Sequence, residues 1–106
     1  MILEVDLAGY TPRLCLRDPE DCQRFHVAAV GGNADALRIA LSRSGVGDVL
    51  ASGDALIDMA AVARLADGLV RADWVDRFQG MLAHARRKGW LEDSGTRFRA
   101  HVEWLA

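Results

Sequence analysis

The side chains of this chain that could carry chemistry are three histidines, two cysteines and a run of cations near the C-terminal end. His101 and Glu103 stand two apart in an alternating segment, so on a strand they share a face. With His84 upstream they could form the two-histidine, one-carboxylate set that holds iron and related divalent metals. The competing reading is a solvated strand face in which His101 and Glu103 alternate alongside Arg97 and Arg99. No ligand-spacing motif supports the metal, so the expectation is no metal and no cofactor. Cys22 and His26 are four apart, the spacing that on a helix would let an imidazole activate a thiol. Glu20 and Asp21 next to it oppose a thiolate, and Cys22 shares its stripe with Phe25, which reads as core. Gly31-Gly32-Asn33 ahead of a helix could cradle an anion. It lacks the Lys and Ser/Thr of a nucleotide loop, Asp35 follows, and a turn between two helices accounts for it. No catalytic constellation emerges, and the catalytic residues, if any, are unknown from sequence.

Composition bounds the class. The chain has 106 residues, 51% of them hydrophobic and 26% charged, with a formal net charge of −2. That is the length of one domain, 1–106, with enough apolar material for a core. No apolar run approaches a membrane span, and Met1-Ile2-Leu3-Glu4-Val5-Asp6 lacks the basic start of a secretory signal. Cys15 and Cys22 have no Cys-x-x-Cys spacing and read as reduced thiols. The expected address is the cytoplasm, with no membrane partner. Charge is uneven: residues 1–70 hold six arginines against ten carboxylates, and residues 71–106 hold seven cations against five.

The elements that must position these groups follow from periodicity. Leu3, Val5 and Leu7 alternate with Glu4 and Asp6, Gly9-Tyr10-Thr11-Pro12 is a turn, and residues 13–17 alternate again, which predicts an N-terminal β-hairpin. Asp18-Pro19-Glu20-Asp21 has the composition of a helix start, with Cys22, Phe25, His26, Ala29 and Val30 at helical spacing up to Gly31-Gly32. Asn33 caps a second helix ending at Gly45. Residues 46–54 read as loop, and Ala55-Leu56-Ile57 as a short strand or a helix start. Asp58 caps a third helix through Ala66. Asp73 opens the fourth, whose stripe is Trp74, Phe78, Met81, Leu82 and Ala85, with Arg86, Arg87 and Lys88 in the last turn and Gly89 as its stop. Glu92-Asp93-Ser94-Gly95-Thr96 reads as a turn. Phe98, Ala100, Val102 and Trp104 then alternate with Arg97, Arg99, His101 and Glu103, a single strand whose apolar face should pack on the fourth helix. All three tryptophans fall on inward positions. The expected fold class is α+β: N-terminal hairpin, about four helices, and a C-terminal helix followed by a wing-like β-hairpin.

From Met59 to Trp104 the order of short helix, turn, long helix, Gly89-Trp90-Leu91, acidic turn and strand resembles a winged-helix (winged helix-turn-helix) domain. The most characteristic stretch is Arg86-Arg87-Lys88-Gly89-Trp90-Leu91-Glu92-Asp93. The resemblance implies a helix-turn-helix with a wing. In a DNA-binding member, Arg77 and Gln79 would face bases, and Arg86, Arg87, Lys88, Arg97 and Arg99 would face phosphates. Asp73 and Asp76 stand in the first turn of the helix that would enter the groove, where a phosphate backbone would repel them. The segment 67–72 is also longer than a tight turn.

Three functions are therefore open. The first is a non-catalytic interaction or regulatory domain acting through protein–protein contacts, a homodimer paired through its edge strands. The second is a winged-helix DNA-binding transcriptional regulator. The third is a small metal-dependent enzyme using His84, His101 and Glu103.

Overall fold

The computed structural model describes residues 1–92 and 95–105; Asp93 and Ser94 of the expected acidic turn lie outside them. The described residues form three helices and seven strands in two sheets, an α+β fold. The N-terminal hairpin is as expected: β1 (Ile2–Asp6) and β2 (Arg13–Arg17) pair antiparallel, Leu3 against Leu16 and Val5 against Leu14. These apolar side chains face the core. On the other face Arg17 pairs with Glu4 in solvent.

The expected helix after Asp18, the first of the four, does not form, so the described residues hold three helices and not four. Residues 18–25 form a turn-rich connection, with Asp18 in the left-handed region at φ 49°. His26–Val30 is β3, parallel to β1, with Val27 opposite Leu3 and Ala29 opposite Val5. The four-stranded sheet has the order β2-β1-β3-β7, so β3 is an inner strand. Val27, Ala28 and Ala29 are all buried. A strand covered on both faces shows a continuous apolar run instead of alternation, and such a run also satisfies a helical template. Asp and Pro open turns as readily as helices. Gly31-Gly32 does not stop a helix either. It carries the chain past the end of β1, where Gly31 takes φ 81° and a Cβ would collide with Ala8.

The three remaining helices stand where the sequence puts them. Helix α1 (Ala34–Arg43) starts at Asn33, whose Oδ1 accepts from the Ala36 N–H at 2.9 Å. Helix α2 (Met59–Ala66) starts at Asp58, whose Oδ1 accepts from Ala60 and Ala61 at 2.9 and 3.2 Å. Helix α3 (Trp74–Arg87) buries Trp74, Phe78, Leu82 and Ala85. Its expected cap differs: the Asp73 side chain makes no capping bond and instead meets Arg77 Nη2 at 3.4 Å. Gly89 at φ 76° turns the chain so that Trp90 N–H returns to the Ala85 carbonyl at 2.9 Å, the six-to-one closure of a glycine-terminated helix.

The second sheet, order β4-β5-β6, was only partly foreseen. The expected loop contains β4 (Gly47–Val49), antiparallel to β5 (Ala55–Asp58). Gly47 is required there because a Cβ would overlap the Leu56 carbonyl. The long C-terminal strand is in fact two. β6 (Arg97–Ala100) pairs with β5, and after His101, β7 (Val102–Leu105) pairs parallel with β3. What corresponds to a wing is a short antiparallel pairing of residues 90–92 with β6, made of the Leu91–Phe98 bridge flanked by Glu92 N–H to the Arg97 carbonyl at 3.0 Å and Arg99 N–H to the Trp90 carbonyl at 2.7 Å; the strand after it is divided between two sheets. Alternation survives the break: Phe98, Ala100 and Val102 are buried in the common core, whereas Trp104 is 43% exposed.

This division has a measurable consequence. Phe98→Ala should cost about 3–5 kcal/mol in urea unfolding, the usual penalty for emptying a buried aromatic site. Trp104→Ala should cost clearly less, and equal losses would return Trp104 to the core.

Candidate functional site

Residues 77, 80, 81 and 84 lie at helical spacing along one stripe of α3, and two open clefts run beside that stripe. One, about 550 Å³, is lined by Glu20, Cys22, Arg77, Gly80, Met81 and His84 among others. The second, about 520 Å³, shares Gln23, Met81 and His84 with it and continues past Trp90 and Phe98 to Asp54 and His101. His84 stands at the junction.

The first cleft is shaped by a clamp between the 18–25 connection and α3. Trp74 Nε1 donates to the Pro19 carbonyl at 2.6 Å. Arg77 Nη1 donates to the Glu20 carbonyl, and its Nη2 reaches the Glu20 carboxylate at 3.2 and 3.3 Å. Arg71 adds its backbone N–H and its Nε, both at 2.9 Å. The Arg71 backbone N–H is the largest influence holding the Glu20 carboxyl below the usual carboxylate range; the guanidinium bonds act the same way against partial desolvation. In the same cleft, burial pushes the Cys22 thiol up, and Arg77 only partly offsets it. An elevated thiol is a poor nucleophile at neutral pH.

The second cleft has an apolar floor and a polar rim. Phe25 and Phe98 meet edge to face at 4.9 Å between centroids, and His84 meets Trp90 likewise at 5.8 Å. On the rim Asp54 accepts from Arg99 Nε at 2.8 Å and lies 4.0 Å from His101 Nδ1; Arg99 Nη2 also donates to Ser52 Oγ at 3.2 Å.

The residues singled out in the sequence are thus distributed. His84 and His101 line one cleft, but Glu103 is directed to His26 Nε2, 3.2 Å away. Among the described residues no group of three or more His, Cys, Asp or Glu is arranged to hold a metal ion. Cys22 and His26 are not a helical pair, since His26 begins β3. Of the residues named for DNA, Arg77 is engaged by Glu20 and Asp73, and Arg99 by Asp54. Gln79, Arg86 and Arg87 are exposed on α3 and Lys88 is exposed at its C-cap, and Arg97 is half-buried on β6. Asp54, Phe25 and Trp90 were not foreseen as cleft residues. Asp54 meets Arg99 across 45 positions, a separation at which no local pattern announces a partner.

Comparison with protein-family models, with curated proteins and with solved structures gives no match. No helix among the described residues is long and apolar enough to cross a membrane.

Two outcomes follow from the first cleft. A depressed carboxyl contributes stability above its unfolded pKa, and that stability is lost as pH falls through the folded value. The gap in urea midpoint between the native chain and Glu20→Gln should therefore be widest near neutrality and close in acid; a gap independent of pH would remove the ionised clamp. In alkylation followed by peptide mapping at mildly alkaline pH, exposed Cys15 should react before Cys22. Faster labelling of Cys22 would instead mark it as activated.

Proposed function

We propose that the chain is a non-catalytic interaction domain that works as a homodimer joined along β7. The observation that carries this is the edge. β7 ends the order β2-β1-β3-β7, so its outer side has no strand neighbour among the described residues. It also holds Trp104 and Leu105 at 43% and 42% exposure. An unpaired strand edge with large apolar side chains is a template for another strand, and closure across a two-fold axis is the commonest way chains of one kind use such an edge. Antiparallel pairing centred on Glu103 would set Trp104 of one copy against Val102 of the other on the inner face. It would also join two four-stranded sheets. Each Glu103 keeps a partner in the His26 of its own chain.

The non-catalytic part of the reading rests on the chemistry of the clefts. Burial pushes the Cys22 thiol up, away from the thiolate, and the carboxylates of Glu20 and Asp54 are engaged by arginines.

Sedimentation equilibrium over a wide concentration range tests the dimer. The expected result is a species of twice the 11.6 kDa chain mass, shifted to monomer by Trp104→Lys or Leu105→Lys. Lysine on an edge strand is a natural block to pairing. A monomer at every concentration, or a dimer indifferent to both substitutions, would overturn the proposal.

A further inference from the structure

We propose that the cleft between α3 and β6 is a binding site for a small aromatic carboxylate. It adjoins the β7 edge only at His101, and the argument does not use the dimer.

The apolar part of the cleft calls for a ring. Phe25 and Phe98 form an edge-to-face pair in its floor, and Leu82 and Ala85 of α3 close the floor beside them. Trp90 forms a wall, with the His84 imidazole set edge-on to it. Trp90 is 47% exposed and does not pack into the core. The main-chain closure of α3, Trp90 N–H to the Ala85 carbonyl, fixes the backbone there, and the edge contact with His84 places the ring beside the cleft. A planar ligand laid between Trp90 and half-buried Phe25 would remove aromatic surface from water on both sides, with buried Phe98 behind Phe25. Stacked and edge-to-face aromatic contacts add to that burial. The volume of about 520 Å³ lies within the range of small-molecule sites, which are typically about 300–1,000 Å³.

The polar part selects the charge. Asp54 is the carboxylate that lines this cleft, and Arg99 already neutralises it through Nε at 2.8 Å. A cationic ligand would therefore find no uncompensated negative charge. Around that pair the rim offers the imidazole of His84, the imidazole of His101, whose Nδ1 lies 4.0 Å from Asp54, and the amide of Gln23. These can donate to an acceptor-rich group, and a carboxylate is the compact acceptor that a ring can carry. Because the Arg99 guanidinium is shared by Asp54 and Ser52, no open arginine fork is presented. This favours a singly charged carboxylate over a phosphate, whose usual partner is that fork.

The test is a titration of the full chain followed by ¹⁵N–¹H and imidazole NMR, with 2-naphthoate as the probe and 2-naphthylmethanol and 2-naphthylmethylammonium as neutral and cationic controls. The expected result is saturable shifts at the Trp90 indole, His84, His101 and the Phe98 amide. The controls should bind weaker by roughly tenfold or more, the discrimination of one charge-assisted hydrogen bond. Trp90→Ala and His101→Ala change exposed side chains, and each should weaken 2-naphthoate while leaving the thermal midpoint near that of the native chain. No shifts at millimolar probe would overturn the proposal. So would equal binding of all three compounds, or shifts centred on Trp104. If either variant loses its fold, His84→Gln serves in its place, and unchanged affinity there would also overturn the site.

Discussion

The interaction on which the rest of this structure depends is the placement of β3 between two parallel neighbours, β1 and β7. Its three central side chains, Val27, Ala28 and Ala29, are buried. The sheet therefore forms only if the chain delivers residue 26 beside residue 2, next to the end of β2. Strands lie about 4.8 Å apart, so the 18–25 connection must cross one intervening strand, a span of about 10 Å. Eight residues cover that distance as turns, whereas a helix continued through Val30 would leave no strand between β1 and β7. The Met1 main-chain nitrogen donates to the carbonyls of Asp21 and Arg24 at 3.0 and 2.9 Å. Glu20 and Pro19 fasten the opposite side of the connection to α3. One short segment thereby fixes both the strand order and the position of the long helix, and the first cleft is the space left beside that junction.

These long-range ties explain what was readable in the sequence. The hairpin was legible because both its strands are wet on one face and alternate accordingly. Helices α1 and α2 were legible because Asn33 and Asp58 cap through their own side chains, and α3 because Gly89 ends it. All these signals act within a few residues. β3 was not legible, since an inner strand has no wet face to set its period. β4 was not legible because three residues with a glycine carry almost no pattern, and Gly47 is explained only by the approach of Leu56 from the neighbouring strand.

The candidate site divides along the same line. His84 and His101 could be singled out by residue type, and the fold does place both beside one cleft. Glu103 could not be assigned, because its partner is set by strand pairing: β7 lies against β3, which brings His26 within reach. Asp54 and Arg99 pair because β5 and β6 are neighbours, with Ala55 opposite Ala100. Cation counts were likewise a weak guide to a nucleic-acid face. Of the residues named for that role, Arg77 and Arg99 are held by carboxylates, and Glu20 arrives at Arg77 from a distant segment.

The C-terminal strand shows how an unbroken pattern can conceal a change of partner. A strand keeps its faces as long as it stays extended, so Phe98, Ala100 and Val102 remain inward while the chain leaves β5 and joins β3 at His101. Both sheets thus contribute to one core, which also takes in Trp74, Phe78 and Leu82 of α3. The next inward position, Trp104, lies opposite Ala29 near the end of the sheet. There the alternation outruns the material that could cover it. A tryptophan in that position keeps a large apolar surface in water at a cost of roughly 25 cal/mol for each Å² left exposed. The neighbouring strand edge has no partner among the described residues. Apolar surface and open backbone groups therefore coincide on the same four residues, and a second strand would satisfy both.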